Sequence, residues 1–237
     1  MDISLPFSVL YEDDHYIAIN KPPGIMVHRT SITEDKKFVL QLLRDQIQKK
    51  LYPIHRLDRG TSGVLIFAKS KQAASQLGQL FQKHVVGKIY LAVTRGYIEE
   101  ASWTVDYPLA KEQWLDKKEA ITHFRKLEKV EIPVAIGRYD TARYTLVEAM
   151  PETGRRHQIR RHLSHLRHPI IGDKRHGDVK HNTHWREQFG IGQMLLHARS
   201  LQFVHPFEQQ RTVINAPLNA KFLEALALLK LTPKLLE

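Results

Sequence analysis

Five consecutive apolar residues, Val64-Leu65-Ile66-Phe67-Ala68, follow directly on His55-Arg56-Leu57-Asp58-Arg59-Gly60-Thr61-Ser62-Gly63. No other feature of the chain constrains its fold as strongly. The run has the length and the β-branched and aromatic content of a strand covered on both faces. A strand rooted in a core is a stiff mount, so an acid in the loop before it, Asp58, is held in one place. Arginines at 56 and 59 flank that acid, and an opposite charge within a few ångströms favours the ionised form of a carboxylate. The residues alone leave two readings open. Asp58 is a reactive carboxylate, or it is a turn residue whose arginines are salt-bridge partners.

The rest of the chain can be read around this loop. Val9-Leu10-Tyr11 and Tyr16-Ile17-Ala18-Ile19 read as short strands joined around Asp13-Asp14. Lys21-Pro22-Pro23-Gly24 stops the second, because prolines cannot donate to a ladder. Phe38, Leu42, Leu43 and Ile47 follow near-helical spacing and predict a helix over about 38–49. Ser70 is a candidate N-cap for a helix with the stripe Ala73, Ala74, Leu77, Leu80 and Phe81, closed by Lys83-His84 and Gly87. From Lys88 to Thr94 the pattern alternates as in a strand, with Ile89, Leu91 and Val93 on one face and Tyr90 and Ala92 on the other.

Residues 108–119 are rich in Lys, Glu and Asp and read as a surface excursion, with strands expected over 120–127 and 139–150. A helix is expected just after the turn at 151–154. Ile159, Leu163 and Leu166 form its buried stripe, and Arg155, Arg156, Arg160, Arg161 and Arg167 populate the remaining arc. Residues 174–186 read as a basic loop, 195–204 and 213–214 as strands, and 220–231 as a closing helix. Strands and helices mix without strict βαβ alternation, which predicts an α+β fold: a central, mostly antiparallel mixed sheet with flanking helices. With no repeat and no long linker, a single domain over 1–237 is expected.

Composition narrows the function. The 237 residues carry a net charge of +11, a field that attracts polyanions with salt-sensitive affinity, and nucleic acid is the expected partner. There is no cysteine, which removes disulfides, thiolate nucleophiles and thiolate zinc sites together and fits a reducing, cytoplasmic setting. No apolar run is long enough to span a membrane, and Met1-Asp2-Ile3-Ser4 does not resemble a signal peptide. His157, His162, His165 and His168 are dense, yet HExxH spacing and a cysteine partner are both lacking, so no metal is expected.

Several segments together resemble the RluA-type pseudouridine synthases, enzymes that isomerise uridine to pseudouridine in RNA. The segment His55–Gly63 with its following strand is similar to the catalytic motif of that family. Asn20-Lys21-Pro22-Pro23-Gly24 with His28 resembles the first motif, and Lys88-Ile89-Tyr90-Leu91-Ala92 the segment that supplies a tyrosine. Thr153–His162 looks like a third motif, closed by His168-Pro169-Ile170-Ile171-Gly172-Asp173. Within the family, the likeness is to members acting on tRNA, which implies uridine 65 of the T-stem. The resemblance implies a pseudouridine synthase fold with an active-site cleft across its sheet, and no room for the small amino-terminal RNA-binding module of some members.

It also implies roles. Asp58 would be the catalytic carboxylate, acting at C1′ or C6 as a nucleophile or at C2′ as a base, a choice the sequence leaves open. Arg160 would be its permanent cation, Ile159 part of the apolar wall, and Tyr90 the group against the uracil ring, placed to take the C5 proton. Arg56 would enter the space left by an extruded base, or else pair with Asp58. Arg155, His157, Lys174 and Arg175 would contact RNA. Breaking and remaking a glycosidic bond demands no redox step, so no cofactor is implied, and a monomer is expected. Competing readings are a synthase for a ribosomal or other tRNA uridine, a non-catalytic RNA-binding protein, and a metal-dependent nuclease. The last needs clustered carboxylates, whereas Asp58 stands alone in its segment.

Overall fold

The computed structural model of the protein describes residues 7–28, 37–110 and 116–232. In chain order the elements are β1 (Val9–Glu12), β2 (Tyr16–Lys21), α1 (Val39–Ile47), β3 (Tyr52–Pro53), β4 (Ser62–Ala68), α2 (Lys71–Gln82), β5 (Gly87–Arg95) and β6 (Ser102–Asp106). There follow β7 (Ile121–Ile132), β8 (Ala142–Pro151), α3 (Gln158–His165), α4 (Val179–Gln188), β9 (Leu196–Val204), β10 (Arg211–Asn215) and α5 (Ala220–Leu228). They form two compact units. One holds the described residues up to Lys88 together with Ala198–Pro217, the other Ile89–His197 and the chain from Leu218.

In the first unit every residue of β4 is buried, as a five-residue apolar run demands. Antiparallel β2 lies beside it, with Ile17 opposite Phe67 and Ile19 opposite Leu65. On its other side β2 pairs with β1, while the short β3 sets Tyr52 opposite Ala68. Antiparallel β10 pairs with β9, placing Val213 opposite Gln202. Tyr16, Val64, Ile66, Leu77, Phe203 and Ile214 share one core cluster. Ser70 caps α2, its Oγ accepting from Ala73 N at 3.1 Å. Gly87 opens β5 rather than closing α2.

The second unit is an antiparallel array in which β8 lies between β5 and β7, with β6 outside β7. The alternation of β5 divides its side chains between two cores. Leu91 and Val93 pack with Tyr144, Trp185 and Phe222, and Tyr90 and Ala92 with Phe124, Val147, Ile159 and Leu163. Two elements, β3 and β6, were too short or too polar to be read from pattern. The excursion at 108–119 falls partly outside the described residues, at 111–115; its ends are joined where Leu109 N donates to Lys118 O at 2.8 Å.

Two expectations are corrected here. The basic segment 174–186 is not all loop, because Val179–Gln188 forms α4. Asp178 caps it, accepting from His181 N at 3.0 Å, and one fully buried side chain, Trp185, anchors it. A helix held by one large anchor shows no apolar stripe, which is why pattern alone misses it. On α3, Ile159 and Leu163 are buried as expected, whereas Leu166 is 37% exposed. It sits at the C-cap, where the helix ends before its stripe is complete. Among the described residues, no helix is long and apolar enough to cross a membrane.

Candidate active site

The Asp58 loop enters β4 through a tight turn, Thr61 N donating to Asp58 O at 3.1 Å. Leu57 is buried beneath it and Asp58 itself is half-buried. The turn ends at Gly63, whose φ is +108°; a Cβ there would lie 2.1 Å from Ala198 O. Only glycine lets β4 begin this close to β9.

The first-motif turn locks onto this loop. Gly24 N donates to Arg59 O at 2.7 Å, and Arg59 Nε donates back to Gly24 O at 2.9 Å. Lys21 is fully buried, and its Nζ donates to Pro22 O and Thr61 O at 2.8 Å and to Arg59 O at 3.3 Å. An ammonium has three N–H groups, and here three carbonyls receive them. Burial pulls the Lys21 pKa down to about 7, while the charge of Asp58 works upward. On sequence grounds a surface charge is the commoner state for such a lysine; the structure makes it the buried peg of the loop.

Immediately upstream, His55 stacks on Phe81 at a centroid distance of 4.9 Å, and its Nε2 accepts from Ile66 N at 3.2 Å. Arg56 is exposed.

In the second unit, α3 is fixed at its start by Gln158. Its Oε1 accepts from Thr153 Oγ1 and Arg155 N, and its Nε2 donates to Ile121 O and Thr122 Oγ1. That anchor presents Ile159 to the apolar cluster that Tyr90 packs against. Arg160, outside the apolar stripe of α3, is nonetheless buried, 8% exposed. Its Nε donates to Asp173 Oδ2 and its Nη2 to Asp173 Oδ1, both at 2.7 Å. Burial works to raise the Asp173 pKa, yet Arg160 and two backbone N–H groups hold it below the ordinary carboxylate value.

The expected RNA-facing residues divide. Lys174 and Arg175 are exposed, as phosphate contacts require. Arg155 is half-buried and its Nε donates to Glu119 O, so it also ties down the end of the excursion. The His157 and His176 rings share a 2.9 Å hydrogen bond, and burial leads the lowering of the His176 pKa. His162 is fully buried between Thr122 Oγ1 and Tyr107 O, a core histidine rather than an RNA contact. Sequence reasoning passed over the two groups that fix this geometry, Gln158 and Asp173. Each is a polar residue inside a family-like motif, and that position was the available signal; their burial is visible only in the fold.

Among the described residues one metal-type cluster is found, Asp13, His205 and Glu208, with candidate ligand atoms within 4.8 Å of one another. Both ring nitrogens of His205 are engaged: Nδ1 accepts from Phe207 N and Glu208 N, and Nε2 meets Asp13 Oδ2 at 3.0 Å. Asp13 further accepts from Tyr11 OH and from His15 N and Tyr16 N. This donor set closes the β1–β2 turn onto the Pro206 corner and leaves no imidazole lone pair for a metal.

Comparison with known proteins follows from these features. A family described as RNA pseudouridylate synthase matches residues 15–165. The chain is 48% identical over 224 residues to tRNA pseudouridine synthase C of Vibrio cholerae, covering 89% of this chain and 91% of that one. With the protein of the same name from Yersinia pestis the identity is 45% over 221 residues, covering 88% and 85%. Among solved structures, human RNA pseudouridylate synthase domain containing 4 superposes with a TM-score of 0.74 at 26% identity, covering 94% of this chain and 93% of that one. The fold is α+β, a mixed sheet with five flanking helices among the described residues.

Proposed function

The chain belongs to the RNA pseudouridylate synthase family, and from that premise we propose that it isomerises uridine to pseudouridine in tRNA through Asp58. Uridine 65 of the T-stem is the proposed target. The reaction cuts the N1–C1′ bond, turns the uracil and rejoins it through C5, and it needs an oxygen nucleophile or base held rigidly against the sugar or ring.

One observation carries the assignment of Asp58: its loop is pinned just after the acid, at Arg59 and Thr61, by Lys21 and Gly24, and runs directly into a wholly buried strand. A loop that merely bound polyanions by charge would not call for that rigidity. Tyr90 is assigned to the uracil ring and Arg160 to the charge of the reaction, on the family likeness of their segments. The burial of Arg160 fits a guanidinium that works away from water. Arg56, exposed, suits a group that meets RNA at an extruded base. Ile159 supplies apolar wall, and Lys174, Arg175 and His157 supply affinity and orientation more than sequence reading.

The deciding experiment maps pseudouridine in total RNA from cells with and without the gene, then adds the purified protein to the deficient RNA. Restoration at tRNA position 65 supports the proposal. Restoration at a ribosomal uridine instead would move the substrate and keep the chemistry, and no restoration at any site would leave only RNA binding.

A further inference from the structure

The carboxylate of Asp173 is met from three directions. Arg160 approaches side-on, with Nε on Oδ2 and Nη2 on Oδ1 at 2.7 Å each, so Nη1 is turned away from Asp173. Oδ1 also accepts the backbone N–H groups of Arg175 at 2.9 Å and His176 at 3.1 Å. The Asp173 backbone is fixed separately: Asn182 Nδ2 donates to Asp173 O at 2.9 Å, and Gly172 N donates to Asn182 Oδ1 at 2.7 Å. Gly172 has a φ of +78°, and a Cβ there would fall 1.9 Å from Gln193 O, so this turn cannot relax sideways. The His176 ring reaches His157, at the N-cap of α3, which closes a loop of contacts back to the helix that carries Arg160.

A buried ion pair is weak evidence for stability, because well-packed apolar residues of similar volume often serve as well. A two-pronged fork on a carboxylate that two further N–H groups also hold fixes direction. We propose that Asp173 is a positioning residue for the isomerisation, orienting the Arg160 guanidinium and joining it to the basic segment Lys174–His176 as one rigid piece. The inference rests on the assignment of Arg160 to the reaction.

The test uses Asp173→Asn and Asp173→Glu in the full chain, with steady-state pseudouridine formation on tRNA, RNA affinity and thermal melting. Asn removes the charge at constant size; Glu keeps the charge but displaces it by one methylene. Because a misplacement of about 1 Å can cost roughly a hundredfold in rate, kcat is expected to fall by about that factor in Asn and at least tenfold in Glu, with KM within about threefold. A stability role alone would lower the melting temperature and leave kcat of the folded fraction unchanged. Wild-type kcat in either folded variant overturns the proposal. So does failure of both to fold, which would assign Asp173 to stability. Arg160→Ala, measured in parallel, separates the two layers: wild-type turnover there removes the premise itself, whereas slow turnover there beside fast Asp173 variants removes only this inference.

Discussion

The Lys21 ammonium donates to the Thr61 carbonyl at 2.8 Å from a position sealed off from solvent. Between those two atoms runs the connection from the first-motif turn to the base of the Asp58 loop, and a titration follows from it. An unfolded lysine loses its proton near 10.5; in the fold, burial brings the value down to about 7. Between these limits the unfolded chain holds a proton that the folded chain has released, so stability rises with pH across the window. Melting temperature should therefore climb from pH 7 to about 9, below the ordinary tyrosine range. Lys21→Met should flatten that climb and cost about 3 kcal/mol, because three carbonyls lose their donor. A variant that melts like the wild type at every pH would remove Lys21 from the support of the loop.

His55 titrates with the same sign in a more acidic window. Burial, with help from the charge of Lys88, pushes its pKa from 6.5 down to about 3. Its Nε2 must stay unprotonated to accept from Ile66 N. The unfolded chain takes up a proton that the fold refuses, so this contribution is whole above 6.5 and is lost as pH falls toward 3. His55→Gln keeps an acceptor and cannot titrate. The wild type should lose more melting temperature than the variant between pH 6.5 and 4, and equal losses would place His55 outside the acid response.

Gly63→Ala tests how closely β4 must approach β9. The added Cβ would lie 2.1 Å from a backbone oxygen at a φ of +108°, so neither atom has a flexible side chain that could give way. A loss of about 3 kcal/mol or more is expected in chemical denaturation. Gly24→Ala is the useful contrast: it has positive φ but nothing within 4 Å, and should cost less.

Asp58→Asn should abolish pseudouridine formation and leave RNA affinity within roughly tenfold, since one charge alters little of a many-contact, salt-dependent association. Release of tritium from C5-tritiated uridine in tRNA measures the first and filter binding the second. Persistent turnover would return Asp58 to the role of a turn residue.

What the sequence made legible follows from what is local. The run at 64–68, the cap at Ser70 and the alternation through Tyr90 depend on neighbours a few positions away, and each reappears as β4, α2 and β5. Lys21 depends on carbonyls 38 and 40 residues downstream, and Arg160 on a carboxylate 13 residues away across a turn. Side-chain periodicity carries no trace of such partners: Lys21, for which a surface charge is the commoner state, and Arg160, outside the apolar stripe of its helix, are both interior. Within the candidate site, the order of motifs identified the residues, but polar burial, which charge patterning inverts, decided how they are held. α4 was missed for a third reason: its stability comes from Asp178 and Trp185 rather than from a repeated face.

The basic segment yields the remaining prediction. Lys174, Arg175 and Lys180 are exposed, and it is the backbone N–H of Arg175, not its side chain, that bonds Asp173. Replacing all three side chains with Gln therefore removes charge facing RNA while leaving the Arg160–Asp173 fork intact. If each neutralises one phosphate, the slope of log affinity against log salt should shrink by up to about 2.7, at roughly 0.9 per contact. Turnover at saturating tRNA should stay within about threefold, because uniform binding affects KM and not the chemical step. Binding isotherms at several salt concentrations with saturated rates would check both halves. An unchanged slope joined to a collapsed saturated rate would put these side chains at the reacting nucleotide, and the phosphate reading of the segment would have to be abandoned.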